Sequence, residues 1–309
     1  MTDRPAPRLL VTEPVERSAA RPPAPGAASL ALRDALERPR RAARVVAVFP
    51  SAVYLLLGSG GEPRVVALVG ADEGRPANSV VVPSVSGRQP FTGVAEGDEG
   101  WVGDGHVEAG GVSVRVKRWW DPRPVLGPLP AARLRHAIMT LENSLDFSTC
   151  GLAGHPGPPA LAAHCAAGDL AKAVPAAERI VGLGPGLTPS GDDVLAGLLL
   201  SLRLLGSVLD GGNRAVWLAG WLAAAVTADA DTRTTAPGAS LLHCAAAGQP
   251  TAEAAAVLRG LAGREPLVPA VRRLALAGRN GGPDLAWGLL AGAGAALALR
   301  GEAVGRATA

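Results

Sequence analysis

The chain has 309 residues, 48% of them hydrophobic and 3% aromatic, and its 30 Lys and Arg against 27 Asp and Glu leave a net charge of +3. That length carries two ordinary domains, and the hydrophobicity rests largely on alanine, without the run of about 18 apolar residues that a membrane-spanning helix needs. Weak, scattered basic charge with few aromatics gives no footprint for nucleic acid, so neither a membrane nor a nucleic acid is expected as a partner.

In chain order, residues 1–42 are rich in Pro, Ala and Arg and lack an export-type apolar run, so they read as a disordered tail, as do residues 301–309. Residues 43–120 have strand character: RVVAVF, AVYLLL, RVVALVG, SVVVPS and GVSVRVKRWW are β-branched runs punctuated by turn-forming GSGGEP, GADEGRPANS and EGDEG. An all-β domain is expected, sandwich or barrel. Trp119 and Trp120 close its last run and are expected to be buried between domains. Residues 121–130, DPRPVLGPLP, carry four prolines that remove backbone donors, which makes them the linker.

From 131 to 300 the pattern turns helical, with elements expected at 131–145, 159–167, 169–180, 191–209, 214–229, 237–247, 252–261, 267–277 and 284–299. The fold class is therefore α+β, a β domain followed by a mainly α-helical domain with glycine-rich loops at helix N-termini. Two of the helices begin alike. SGDDVLAGLL from Ser190 and GGPDLAWGLL from Gly281 share G-x-D-x-x-x-G-L-L, which sets each aspartate, Asp193 or Asp284, one turn ahead of a glycine, Gly197 or Gly288, on the same face.

The segment GLGPGLTPSGDD, residues 182–193, concentrates candidate chemistry. Gly184, Gly186 and Gly191 free the backbone amides of side chains just before a helix N-terminus, a setting that favours phosphate or carboxylate, and Thr188 and Ser190 add hydroxyls. It is neither a Walker A sequence nor a dinucleotide fingerprint. Asp192 and Asp193 would repel a bare anion unless a hydrated Mg²⁺ or a ligand amine or amide bridged them. A plain capping role, with Ser190 as N-cap and Asp193 in the first turn, accounts for only part of the segment. Arg233, Thr234 and Thr235 precede a second helix start at Pro237, and Arg279 and Asp284 flank a third. Cys150, Cys165 and Cys244 are odd in number, lack metal or redox spacing and suit a reducing cytoplasm, so no metal centre is expected. His164 and His243 precede two of these cysteines near helix C-termini, where they complement the helix dipole.

GLGPGLTPSGDDVLAG, the TRTT-to-SLL segment and the late G-x-x-x-G-x-D loop, in this order behind a β-rich half, resemble the domain-of-unknown-function family that includes AllH. The resemblance spans residues 44–300. It implies part of a bacterial oxamate carbamoyltransferase, working beside an FdrA-like subunit and a third protein in purine- or allantoin-type nitrogen metabolism. Carbamoyl phosphate, oxamate or a related small acceptor would sit on Gly184, Gly186, Thr188, Ser190, Gly191, Arg233, Thr234, Thr235, Arg279 and Asp284, with Asp192 and Asp193 as the catalytic pair. A non-catalytic ligand-binding or scaffold subunit is the alternative. The third loop departs from the family's Gly-His-Thr/Ser-Ser-Gly-x-Asp, since Arg279 stands for the His and Gly281 for the Ser. No residue is a convincing general base, a role the partner would supply.

Overall fold

The computed structural model describes residues 22–71, 74–83, 90–277 and 281–300. Its first half is a closed barrel of eight strands: β1 (Ala24–Ser29), β2 (Arg41–Phe49), β3 (Ala52–Leu57), β4 (Val65–Gly70), β5 (Ser79–Val82), β6 (Glu99–Gly103), β7 (His106–Ala109) and β8 (Val112–Trp120). Around the barrel the order is β1-β5-β4-β3-β2-β6-β7-β8, with β1–β8 and β4–β5 parallel and the other pairs antiparallel. The barrel interior is filled by Val45, Val53, Leu55, Leu57, Val66, Leu68, Val80, Val102, Val107 and Val114, mostly the β-branched valines that fit a pleated, curved wall.

Three features depart from the sequence reading. β1 and the short helix α1 (Arg33–Glu37) lie inside the stretch read as tail, 1–42. Its sequence APGAAS has no β-branched residue, and it is a strand because barrel closure pairs it with β5 on one side and β8 on the other. β6 and β7 are short strands rich in glycine and polar residues, too weakly patterned to stand out as runs. Trp119 packs against the barrel core, with the Arg33 guanidinium 5.4 Å from its ring centroid, and so belongs to the barrel. The remaining tail residues, 1–21 and 301–309, lie outside the described residues.

The second half is helical: α2 (Ala131–Glu142), α3 (Gly157–Ala167), α4 (Leu170–Glu178), α5 (Ser190–Val208), α6 (Asn213–Thr227), α7 (Ala230–Arg233), α8 (Ala236–Ala246), α9 (Ala252–Leu261), α10 (Leu267–Ala275) and α11 (Gly281–Ala298). The fold is thus α+β, as expected. α5 is apolar on nearly every side and runs through the centre of the core, as a helix without a polar face must. α11 lies against it in the same direction. A Cβ on Gly197 would fall 2.3 Å from Leu285 O, one on Gly288 2.0 Å from Val194 O, and one on Gly292 2.5 Å from Leu198 O. The two backbones touch at these glycines, and any side chain there would force them apart. Ser201 on α5 donates to Leu289 O at 2.9 Å, which satisfies its buried hydroxyl within the same seam. The two helices that begin alike in sequence are therefore partners in space.

The barrel meets the helical half along β4. Val66 and Leu68 face the barrel interior, while Ala67 and Val69 pack outside with Ala52, so all six residues of β4 are buried. The Val65 amide donates to the Ser240 hydroxyl of α8 at 3.0 Å, Arg64 pairs with Asp231 of α7, and the Ala252 amide of α9 donates to Arg75 O at 3.0 Å.

Candidate functional site

The parallel packing of α5 and α11 brings their N-termini to the same end, and the N-terminus of α8 joins them. The chain reaches α5 through a tight turn. Gly182, Gly184 and Gly186 have φ of +71°, +95° and +116°, conformations that side chains disfavour. The Gly191 amide donates to Leu183 O at 2.8 Å, and a Cβ on Gly191 would lie 1.8 Å from Ile180 O, so only glycine lets α5 start this close to the preceding turn.

Three carboxylates occupy this junction. Asp192 accepts from the Gly182 amide at 2.8 Å through Oδ1 and from the Thr234 hydroxyl through Oδ2. Gly238, in the first turn of α8, is packed so closely that a Cβ there would meet Asp192 Oδ2 at 2.4 Å. Asp193 accepts from the Thr188 hydroxyl at 3.1 Å and faces the start of α11, where a Cβ on Gly281 would lie 3.0 Å from its Oδ2. Asp284 reaches the other way. Its two oxygens accept from the Gly151 amide at 3.0 and 3.2 Å, and the Ser190 hydroxyl borders the same glycine. Each of the two similar helices thus sets its aspartate against the first turn of the other, or against what flanks it.

Burial dominates the electrostatics. Asp192, Asp193 and Asp284 are at most 5% exposed, and desolvation pushes each carboxyl above its ordinary range. For Asp192 the Thr234 hydroxyl and the Gly182 amide offset part of the rise. Asp193 is raised furthest: Thr188 offers some relief, and the neighbouring carboxylates of Asp284 and Asp192 add to the effect of burial. Asp284 is eased by the adjacent Ser190 hydroxyl and by the amides of Gly151 and Leu152. Ser190 Oγ is itself fully buried and completes no hydrogen bond of normal geometry. Cys150 stands beside this group, but burial, helped by Asp284 and Asp146, pushes its thiol up to about 12, so it is no thiolate at neutral pH. The buried Cys165 and Cys244 thiols are also pushed up to about 12 by burial.

The structure brings together Asp192, Asp193, Asp284, Thr188, Ser190, Gly184, Gly191 and Thr234. Several expected donors are already engaged inside the protein. The Gly191 amide is held by Leu183 O; the Thr235 hydroxyl donates to Leu187 O at 2.6 Å and accepts from the Gly238 amide as the N-cap of α8. Arg233 turns away from the carboxylates to Glu178 O and Asp229. The N-cap of α5 is Pro189, which has no side-chain donor or acceptor, so Ser190 is the first helical residue and not a cap. Arg279 lies outside the described residues. Among the described residues no group of three or more His, Cys, Asp or Glu is arranged to hold a metal ion, so Mg²⁺ would need ligand oxygens to complete its shell. Gly151, Gly182 and Gly238 border the three carboxylates and were not among the expected site residues. Gly182 and Gly238 carried a signal, as glycines of the two singled-out segments, and Gly151 carried none.

No curated protein and no solved structure was found to match the chain. The barrel lies outside the family match, which is narrower than the span 44–300 over which the resemblance was read. Residues 180–293, which run from the turn before α5 into α11 and hold all three buried carboxylates, match the family model of the oxamate carbamoyltransferase subunit AllH.

Proposed function

We propose that this chain is a component of a cytoplasmic carbamoyltransferase complex resembling oxamate carbamoyltransferase. Residues 131–300 would form its ligand-binding domain and the barrel, joined by the linker at 121–130, its second domain, with an FdrA-like protein as partner subunit. The observation that carries this reading is the junction of α5, α8 and α11: three desolvated carboxyl groups where three helix N-termini meet, all inside the matched segment.

Such a junction suits a small ligand with an amide at one end and an anion at the other. Carboxylates accept from an NH₂ group, as oxamate and carbamoyl phosphate both present, while a carboxyl held in its protonated form donates to a carbonyl oxygen. The helix N-termini favour the anionic end. Asp193, the carboxyl raised furthest above its ordinary range, is assigned to the amide; Asp192, already bonded to Gly182 and Thr234, orients it. Carbamoyl transfer needs a stabilised carbonyl oxygen, a neutralised phosphate leaving group and little water. Among the described residues none of the three carboxylates forms an ion pair with a cation. This favours the acceptor amide over the phosphate as the ligand of this chain, and leaves phosphate neutralisation to the partner subunit or to Arg279.

The internal engagement of Gly191, Thr234 and Thr235 favours a second reading, a binding or scaffold subunit without chemistry of its own. Thermal shift with oxamate, carbamoyl phosphate and MgATP separates these outcomes, because a ligand that binds only the folded state must raise the melting temperature. Oxamate is expected to stabilise the wild type and not Asp193→Asn; no stabilisation by any of the three rejects the site. Phosphate release from carbamoyl phosphate plus oxamate, assayed with the FdrA-like partner, then decides chemistry. Loss of turnover in Asp192→Asn and Asp193→Asn supports a catalytic role, and unchanged turnover supports the scaffold.

A further inference from the structure

α6 carries a second apolar face that none of the described residues covers. Between Ala215 and Val226 its sequence, AVWLAGWLAAAV, contains no charged or amide side chain. One side, Leu218, Leu222 and Val226, packs into the helical core. The other side presents Trp217 and Trp221, 56% and 55% exposed, with their rings 6.2 Å apart, and Gly220 and Ala224 are exposed beside them. A helix that is apolar all round is normally buried all round, and two neighbouring exposed tryptophans are the composition of an interface centre.

Gly220 supplies a separate observation. A mid-helix glycine disfavours the helix unless something approaches it closely, yet a Cβ built on Gly220 meets nothing within 4 Å among the described residues. Gly294 is the only other described helical glycine with such space, and it is half-buried without exposed aromatic neighbours. The smooth spot at Gly220 and Ala224 therefore has room for a backbone or a ring from outside the chain.

We infer that α6 packs antiparallel against α6 of a second copy of this chain, about a twofold axis near Gly220. The face is self-complementary: the Trp217 and Trp221 rings of each copy have the Gly220–Ala224 hollow of the other to fill, which is what an isologous interface requires. Charge selects the direction. Arg214, exposed at the start of α6, forms no ion pair among the described residues. Asp229, just past the end of α6, is 54% exposed and meets Arg233 only at 3.5 Å. Antiparallel packing sets each Arg214 toward the Asp229 end of the other copy and opposes the helix dipoles, whereas parallel packing would set Arg214 against Arg214.

The test is the association state of the full chain by sedimentation over a concentration series. The wild type is expected to be a dimer, and Trp217→Ala with Trp221→Ala to weaken it by about thirtyfold or more, as for buried aromatic anchors, with an unchanged circular dichroism spectrum. Gly220→Cys provides a second reading. The native cysteines are buried, so mild oxidation should cross-link only this variant into a disulfide-bonded dimer. A wild-type monomer at every concentration overturns the inference, whether another subunit or the chain's own termini cover the face. So does a dimer that the tryptophan substitutions leave intact, or a Gly220→Cys variant that stays monomeric under oxidation.

Discussion

Among the described residues of the barrel the buried polar side chains are Ser29, Asn78 and Ser79, all neutral, and each is bonded to backbone: Ser29 to the Ala31 amide, Asn78 to Val65 O, Ser79 to Pro76 O. In the helical half they include Asp192, Asp193 and Asp284, with Ser190 Oγ left without a good partner. The first set completes an architecture. The second is costly, because burying a carboxylate raises the free energy of its charged form, and stability alone gives no reason to gather three at one junction. Function is therefore sought where the helices meet and not in the barrel, although the barrel is the more regular structure.

Substitutions at glycine contrast the two halves most strongly. Gly288→Leu drives a side chain into the α5 backbone, and a destabilisation above about 4 kcal/mol is expected, since neither backbone can yield. In the barrel, Gly105→Ala at a turn with φ of +71° and open space should cost only about 1–2 kcal/mol, the penalty of left-handed backbone. Denaturant midpoints of the two variants check this, and equal losses would break the contrast.

Ser240→Ala comes next. It leaves the buried Val65 amide without its acceptor, at an expected cost of about 1–3 kcal/mol in chemical denaturation. Asp193→Asn should act in the opposite direction. Burial holds the folded carboxyl well above the unfolded value of about 3.9, so the folded state retains a proton that the unfolded state releases. That contribution is full below the unfolded pKa and is lost as pH rises through the folded one. Wild-type melting temperature is thus expected to fall on going from acid to neutral pH. The Asn variant, which still accepts from Thr188, should show a shallower slope and melt a few degrees higher at neutral pH, at about 2–4 °C per kcal/mol. A steeper slope would remove the argument that this carboxyl is held against its own preference. Arg64→Ala is the smallest effect, at most about 1 kcal/mol, because its pairs with Glu62 and Asp231 are partly solvated.

Much of the helical half was legible because most helices start at or just after Gly, Pro or Thr and are long enough to show a pattern; α9 was read with its observed ends, 252–261, whereas α7, only four residues long, was not read at all. The barrel was legible where strands are β-branched and illegible at β1, whose APGAAS has strand geometry only because β5 and β8 flank it. The same distinction holds at the site. Asp192, Asp193 and Asp284 stood out because charge is rare beside Gly and Leu. The Gly151 amide, which binds Asp284 from 133 residues away, belongs to no local pattern, and the turning of Arg233 toward Glu178 O depends on where α4 ends.

Ser240 connects the two halves in series. It accepts from Val65 of the barrel wall and stands a short way along α8 from Gly238, which packs on Asp192, and from Thr235, which grips Leu187 O. Barrel strand, α8 and glycine turn thus act as links of one short chain with no slack residue between them. A displacement of the strand would have these direct contacts as its route to the carboxylates, and Ser240→Ala cuts that route at the barrel wall.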